Sequence, residues 1–415
     1  MKRRFDRLCR ARKGIHLVSS SAPARPRPVY RAADLLAAYL PGSFCYSSAR
    51  GVLLADGVHA AVHGTPGQRA EAAAIALEAA RRAGIEDPVV VGAIGFRPDS
   101  ASSLVVPAVV RRADAFSEAG DERPVAVRTA EAWTATPRPA PDVYAGSVRE
   151  AVDRIGRGDL RKVVLARALD LTGRRDISVP ALLAALVRKD PAAHAFAVDV
   201  SAPGDAVPRT MVGASPELLV SRHGNVVTAN PLAGSRRRTG DPAEDGQAVA
   251  ELKVSEKDLS EHALVAAQVA EVLGRFCGEL DVPGEPEVIG TPTMWHLSTR
   301  ITGTVGPDGP SSLELAEALH PTPAVCGVPV DLARDTIAEL EAEDRGYYAG
   351  LAGWTDLAGD GEWVVTIRCA EVSGPTARLF AGAGVVAGSD PAAELAETSA
   401  KFGTLLRALG AEGLA

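Results

Sequence analysis

FAGAGVVAG, residues 380–388, decides between two folds. Gly382, Gly384 and Ala387 match the GxGxxA spacing of a dinucleotide-binding turn, and the stretch follows an apolar strand and precedes a helix. A doubly wound parallel sheet would be the consequence. Only residues 389–415 follow, which leaves no room for the next strand and the acid that would hold a ribose. The dinucleotide reading is therefore rejected. The glycines point instead to backbone pressed against another group, such as a carboxylate held by N–H groups.

The helix after this stretch carries its own anomaly. Asp390 and Pro391 make a good start, as N-cap and first helical position. Glu394, Glu397 and Lys401 then occupy the stripe that Leu405 and Ala408 continue, within a helix expected over 391–409. SEKDLSEHALV, residues 255–265, repeats the pattern. The spacing predicts one helix over about 247–276, with a stripe running Val254, Asp258, Glu261, Val265, Val269, Val272. Two carboxylates interrupt that stripe one turn apart, and burying an unpartnered carboxylate costs several kcal/mol. Either these are two solvated faces, or the helices turn carboxylates inward onto one hard cation. Mg²⁺ takes oxygen ligands, usually one or two carboxylates, and shares its site with an anionic substrate.

Further stretches carry reactive side chains. GDLRKVVLARAL (158–169) reads as a strand with Lys162, Val164, Ala166 and Ala168 on one face. A lysine among small apolar residues either snorkels to water or is an inward amine, which desolvation or positive neighbours would turn into a base. GASPELL (213–219) places Glu217 at the mouth of a strand, where a solvated end and a functional acid are both open. PLAGSRRR (231–238) reads as a small-residue turn, with Gly234 allowing close approach of a ligand and the arginines as a solvated loop. In VVTIRCA (364–370), Arg368 alternates onto the face of Val364 and Thr366, and an arginine there needs a salt-bridge partner or a substrate carboxylate. There is no Walker loop, HExxH or nucleophile elbow.

Composition sets the outer limits. The net charge of −7 and the 4% aromatic content argue against nucleic-acid binding, which needs a basic face or stacking platforms. The cysteines, Cys9, Cys45, Cys277, Cys326 and Cys369, fit no disulfide framework and no zinc knuckle, so a reducing cytoplasm is expected. No apolar run approaches the ~20 residues that span a bilayer. Residues 1–28 mix Arg and Lys with Ser, Pro and Ala, lack the apolar core of a signal peptide, and are expected to be a disordered basic tail. Residues 29–141 read as an N-terminal part, with a helix at 68–83, a strand at 88–96 and a Pro-rich loop at 136–141 marking a boundary or long surface connection. Residues 142–415, which the resemblance below implies to be the catalytic core, read as strands grouped among irregular helices with no repeat. That pattern predicts an α+β fold.

Taken together, KVVLAR, GASPELL, PLAGSRRR, SEKDLSEH, TPTMWHLSTRITG, HPTPAVCG, GEWVVTIRCA and LFAGAGVVAGS resemble, in this order, the chorismate-utilising enzymes, and within them the isochorismate synthases. The resemblance implies one α+β domain with antiparallel sheets stacked in a sandwich, helices outside and the site in a cleft between them. It implies Mg²⁺ on Glu261 and Glu397, with Asp258 and Glu394 as supports around it, and Lys401 near metal and substrate. It implies Lys162 as general base on a water and Glu217 as general acid. Arg368 and the backbone of Gly382, Ala383 and Gly384 would hold the enolpyruvyl carboxylate, and Gly234, His296, Ala324 and Tyr348 would complete the substrate site. Chorismate and isochorismate are the implied partners, and a monomer is expected. One feature departs from the isochorismate synthases: Tyr348 stands where many of them have Phe, and salicylate synthases often have Tyr.

Overall fold

The computed structural model describes residues 29–117 and 132–414; the basic tail read over 1–28 lies outside the described residues. Among the described residues two large antiparallel sheets, of ten and nine strands, stack face to face, and a three-stranded sheet stands apart from both. One apolar core fills the space between the large sheets, with Tyr46, Leu165, Phe196, Val220 and Trp363 among its buried members. A second lies on the other face of the ten-stranded sheet, where Leu35, Leu183 and Phe402 bring the Ala32–Ala37, Val179–Lys189 and Pro391–Leu409 helices down onto it. This is the α+β sandwich with helices outside that the sequence implies. Strands from residues 44–113 belong to both large sheets: Phe44–Ser48 pairs with His194–Asp199, and Val89–Ile94 pairs with Leu351–Asp356.

The opening glycines lie in the Thr376–Val385 strand, antiparallel to Lys162–Thr172 with Gly382 opposite Ala166 and Gly384 opposite Val164. An antiparallel ladder on both sides of that strand excludes the dinucleotide turn on geometry. The Lys162–Thr172 strand is buried along most of its length, because it has paired neighbours on both edges and packed layers on both faces.

Four local expectations differ from the structure. Residues 136–141 are not a simple loop: Thr134–Arg138 pairs with Lys162–Thr172 as an edge strand, where Pro137 is tolerated, and a helix starts at Pro141. The helix expected over 247–276 is two, Pro242–Val254 and Glu256–Leu273, broken at Ser255, whose side chain caps the second by accepting from the Asp258 N–H. Val254 consequently points to solvent at 75% exposure. PLAGSRRR is a strand rather than a turn: Leu232–Arg237 pairs with Met294–Ser298, and its register shifts at Gly234, which has φ +71°. Finally, 364–369 is not one strand. Gly361–Val365 belongs to the nine-stranded sheet and Cys369–Ser373 to the ten-stranded one, so the chain changes sheets across Thr366, Ile367 and Arg368. Arg368 sits at that crossing with φ +51°. The reverse crossing, from Thr210–Ser215 to Leu218–His223, passes through Pro216 and Glu217.

Candidate active site

Both crossings deliver a charged side chain to the same cavity. Glu217 and Arg368 line it together with Asp258 and Glu261 from the Glu256–Leu273 helix, and Glu397 and Lys401 from the Pro391–Leu409 helix. Gly234 and His296 come from the three-stranded sheet, Gly382 and Gly384 from the Thr376–Val385 strand, and Ala324 and Tyr348 from connecting segments. The cleft thus lies where the chain crosses between the two large sheets.

Three of the expected residues stand off the cavity wall. Ala383 lies between Gly382 and Gly384 on the opposite face of its strand, as the period of two requires, so only its backbone faces the substrate side. Glu394 turns to Lys257, whose Nζ donates to its Oε1 at 2.9 Å, and lines an adjoining groove. Lys162 is one layer back and fully buried, with Nζ 2.8 Å from Glu261 Oε1. That contact lacks hydrogen-bond alignment, so the amine is left without a formal acceptor.

The remaining polar contacts tie the walls together. Lys401 Nζ donates to Glu397 Oε1 at 2.5 Å and to the Gly382 carbonyl at 2.8 Å. Arg368 donates to His296 Nε2 at 3.1 Å, while its Nε has no partner. Burial lowers the pKa of Arg368, and burial with the Arg368 and Lys401 charges holds His296 well below its usual value. Burial pushes Glu217 up to about 7, although Lys162, Arg368, the Leu232 N–H and Lys401 all pull the other way. For Lys257, burial pulls down but Glu394, with Glu261 and Glu397, outweighs it and the net shift is upward. Glu394 itself is raised, by burial and by Glu397 beside it.

A cavity built this way can hold a compact dianion, protonate a leaving group near neutral pH and present a buried amine. The carboxylates of Glu261 and Glu397 reach it from separate helices, each closed by a lysine. Among the described residues no group of three or more His, Cys, Asp or Glu has metal-ligand spacing. Two carboxylate oxygens nevertheless suit Mg²⁺, which keeps several waters and is commonly held by one or two carboxylates plus substrate. The residues fit that ion.

The sequence reading passed over three supports. Arg345, buried, donates to the Val325 carbonyl at 2.7 Å and to the Val164 carbonyl at 2.8 Å, fixing two segments of the wall. Arg236, taken as a solvated loop arginine, stands 2.7 Å from Asp258 Oδ2. Lys257 bridges the two acid-bearing helices. A positive charge next to an inward-facing acid, as in Lys257–Asp258, was the available signal.

A family model described as chorismate binding enzyme matches residues 88–410. Isochorismate synthase DhbC of Bacillus subtilis (strain 168) is 47% identical over 388 residues, 92% of this chain and 97% of that protein. The vibriobactin-specific isochorismate synthase of Vibrio cholerae is 40% identical over 371 residues, 89% and 92% of the two chains. A crystal structure of DhbC from Bacillus anthracis has a TM-score of 0.87 at 44% identity, covering 92% of this chain and all of that one. Anthranilate synthase component I of Streptococcus pneumoniae, at 21% identity and TM-score 0.65, shares the fold. The chain belongs to the chorismate-binding enzymes.

Proposed function

We propose that this protein is an Mg²⁺-dependent isochorismate synthase, converting chorismate reversibly to isochorismate for siderophore or menaquinone biosynthesis. The observation that carries the reading is Glu217: a buried carboxyl, its pKa raised by burial to about 7, facing the same cavity as Arg368 and Lys401. Hydroxide is a poor leaving group, so the departing C4 hydroxyl needs a proton, and Glu217 donates it. Water adds at C2 on the other side of the shifting double bonds, and Lys162 is the base that takes up that water's proton. The charge left on each residue is reversed when the reaction runs back. Arg368, with the backbone at Gly382 and Gly384, holds the enolpyruvyl carboxylate, and Lys401 supports the ring carboxylate. Glu261 and Glu397 would hold Mg²⁺, which would neutralise the ring carboxylate and polarise the ring. Asp258 and Glu394 keep those helices charged and oriented around it. A monomer in a reducing cytoplasm completes the proposal.

The test is direct. Purified protein with chorismate and Mg²⁺ should form isochorismate, resolved by chromatography, and excess chelator should stop turnover until Mg²⁺ is restored. Full activity in chelator would remove the metal assignment of Glu261 and Glu397.

A further inference from the structure

Beside the catalytic cavity lies a wider groove, walled by Arg236, Arg237 and Arg238 on one side and by the helix bearing Glu394 and Glu397 on the other. The two spaces share Ser235, Arg236, Lys257 and Glu397, which therefore frame the opening between them. Two ion pairs cross that frame: Arg236 with Asp258 at 2.7 Å, and Lys257 with Glu394 at 2.9 Å. In each the acid is anchored and the cation reaches outward. Asp258 and Glu394 are 5% and 2% exposed, whereas Arg236 and Lys257 are 34% and 39% exposed. The Arg236 contact lacks hydrogen-bond alignment, and both cations reach solvent, so an arriving carboxylate can compete for them, while the buried acid left behind resists the exchange.

The charge balance gives that exchange a purpose. A chain of net charge −7 repels a dicarboxylate as a whole. Along the groove Arg236, Arg237, Arg238, Lys257 and Arg407 outnumber Glu394, Glu397 and Glu412, although Arg236 is shared with Asp258, Arg238 with Asp245 and Lys257 with Glu394. Such a basic funnel concentrates an anionic ligand at its narrow end.

We propose that Arg236 and Lys257 form an electrostatic gate for the substrate. Each releases its resident carboxylate, takes a carboxylate of the arriving dianion, and passes it inward to Arg368 and Lys401. The proposal rests on the dicarboxylate substrate of the preceding reading. It makes Arg236 and Lys257 positioning residues, acting on substrate approach and not on the chemical step.

Steady-state kinetics with chorismate at varied NaCl tests it. Arg236→Ala and Lys257→Ala are expected to raise KM about tenfold each, by a larger factor than any fall in kcat, and to flatten the fall of kcat/KM with salt expected of the unmodified protein. Arg236→Lys and Lys257→Arg should recover most of the loss. Because either alanine variant leaves a buried acid without its cation, Arg237→Glu is measured as well: Arg237 is exposed, lines only the groove, and should raise KM and flatten the salt dependence without touching the fold. A loss confined to kcat or to melting temperature, with KM and salt dependence unchanged, would overturn the gate. Absence of any chorismate turnover by the unmodified protein would overturn the function itself, and the gate with it.

Discussion

Arg368 Nη2 lies 3.1 Å from His296 Nε2, and this contact fixes the protonation of the ring. A guanidinium only donates, so Nε2 carries the lone pair and the proton sits on Nδ1. Nδ1 in turn faces Ser235 Oγ at 3.1 Å and the Gly234 carbonyl at 3.3 Å. The bulge at Gly234 thereby reaches, through one imidazole, to the arginine that crosses between the sheets.

His296→Ala should release that arginine. A hydrogen bond to a charged group contributes about 1.5–3 kcal/mol, so kcat/KM is expected to fall on the order of 10- to 100-fold, chiefly through KM. His296 stays neutral across the working range, so the shape of the pH–rate profile should not change. A shifted profile, or an unaltered KM, would show that the ring does something else.

Glu217 offers a test in which stability and activity move oppositely. Its folded pKa of about 7 is above the ordinary carboxyl value, so the folded state binds the proton more tightly than the unfolded chain. The stability gained from that bound proton is complete below about pH 4.5 and is lost as pH rises through about 7. The ionised, buried form then costs on the order of 3 kcal/mol at pH 8. Glu217→Gln should raise the denaturation midpoint at pH 8 while losing about 10²- to 10⁴-fold in turnover, and Lys162→Ala should lose a similar factor. For the unmodified protein, kcat/KM should decline as pH passes about 7. A Gln variant that is no more stable at pH 8, or that turns over at a near-normal rate, would contradict the assignment.

The close approach of Gly384 to the Lys162 side chain can be probed with one methyl group. A Cβ on Gly384 would meet Glu261 Oε1 at 2.5 Å and Lys162 Cε at 3.1 Å. Gly384→Ala must therefore push the Lys162–Glu261 pair aside, and displacement of about 1 Å at such a pair costs on the order of 100-fold in rate. At Gly388 nothing lies within 4 Å, so Gly388→Ala is the matched control and should behave as the unmodified protein. Equal turnover by both variants, with circular dichroism unchanged, would remove the pair from the mechanism.

How much of this was legible depends on how local each signal is. Lys162 shows in the sequence because period two places it among small residues on its own strand. The acids at Glu261 and Glu397 show because a helical stripe is local as well. The sheet crossings do not show: VVTIRCA alternates like a single strand, and only the pairing of Val364 with Leu218 and of Cys369 with Gly213 reveals that two sheets share it. The helix break at Ser255 was written in Ser255-x-x-Asp258, a capping pattern outweighed by the apolar stripe running across it. Arg236 and Lys257 look like ordinary solvated cations, since each is defined by an acid on another element.

The last prediction concerns the product, where Ala324 and Tyr348 point in different directions. Loss of pyruvate from isochorismate moves the C2 hydrogen to the enolpyruvyl methylene as the C–O bond to the ring breaks. That geometry needs the side chain folded over the ring, and contacts around the enolpyruvyl group must enforce it. Ala324 and Val325 line the cavity with small apolar groups and supply no hydroxyl there. Tyr348 is buried and stacks on Phe380, with ring centroids 5.1 Å apart and planes 11° apart. Burial holds its hydroxyl protonated, and a Cβ on Gly382 would lie 2.9 Å from Tyr348 Oη. The phenol is thus locked against the strand proposed to bind the enolpyruvyl carboxylate, where it could anchor that carboxylate without bending the side chain over the ring. Isochorismate is the expected main product, with salicylate and pyruvate a minor side reaction at neutral pH. Ala324→Thr, which places a hydroxyl beside the enolpyruvyl group, should raise pyruvate release in a lactate dehydrogenase-coupled assay. Pyruvate released by the unmodified protein as fast as chorismate disappears would make it a salicylate synthase instead.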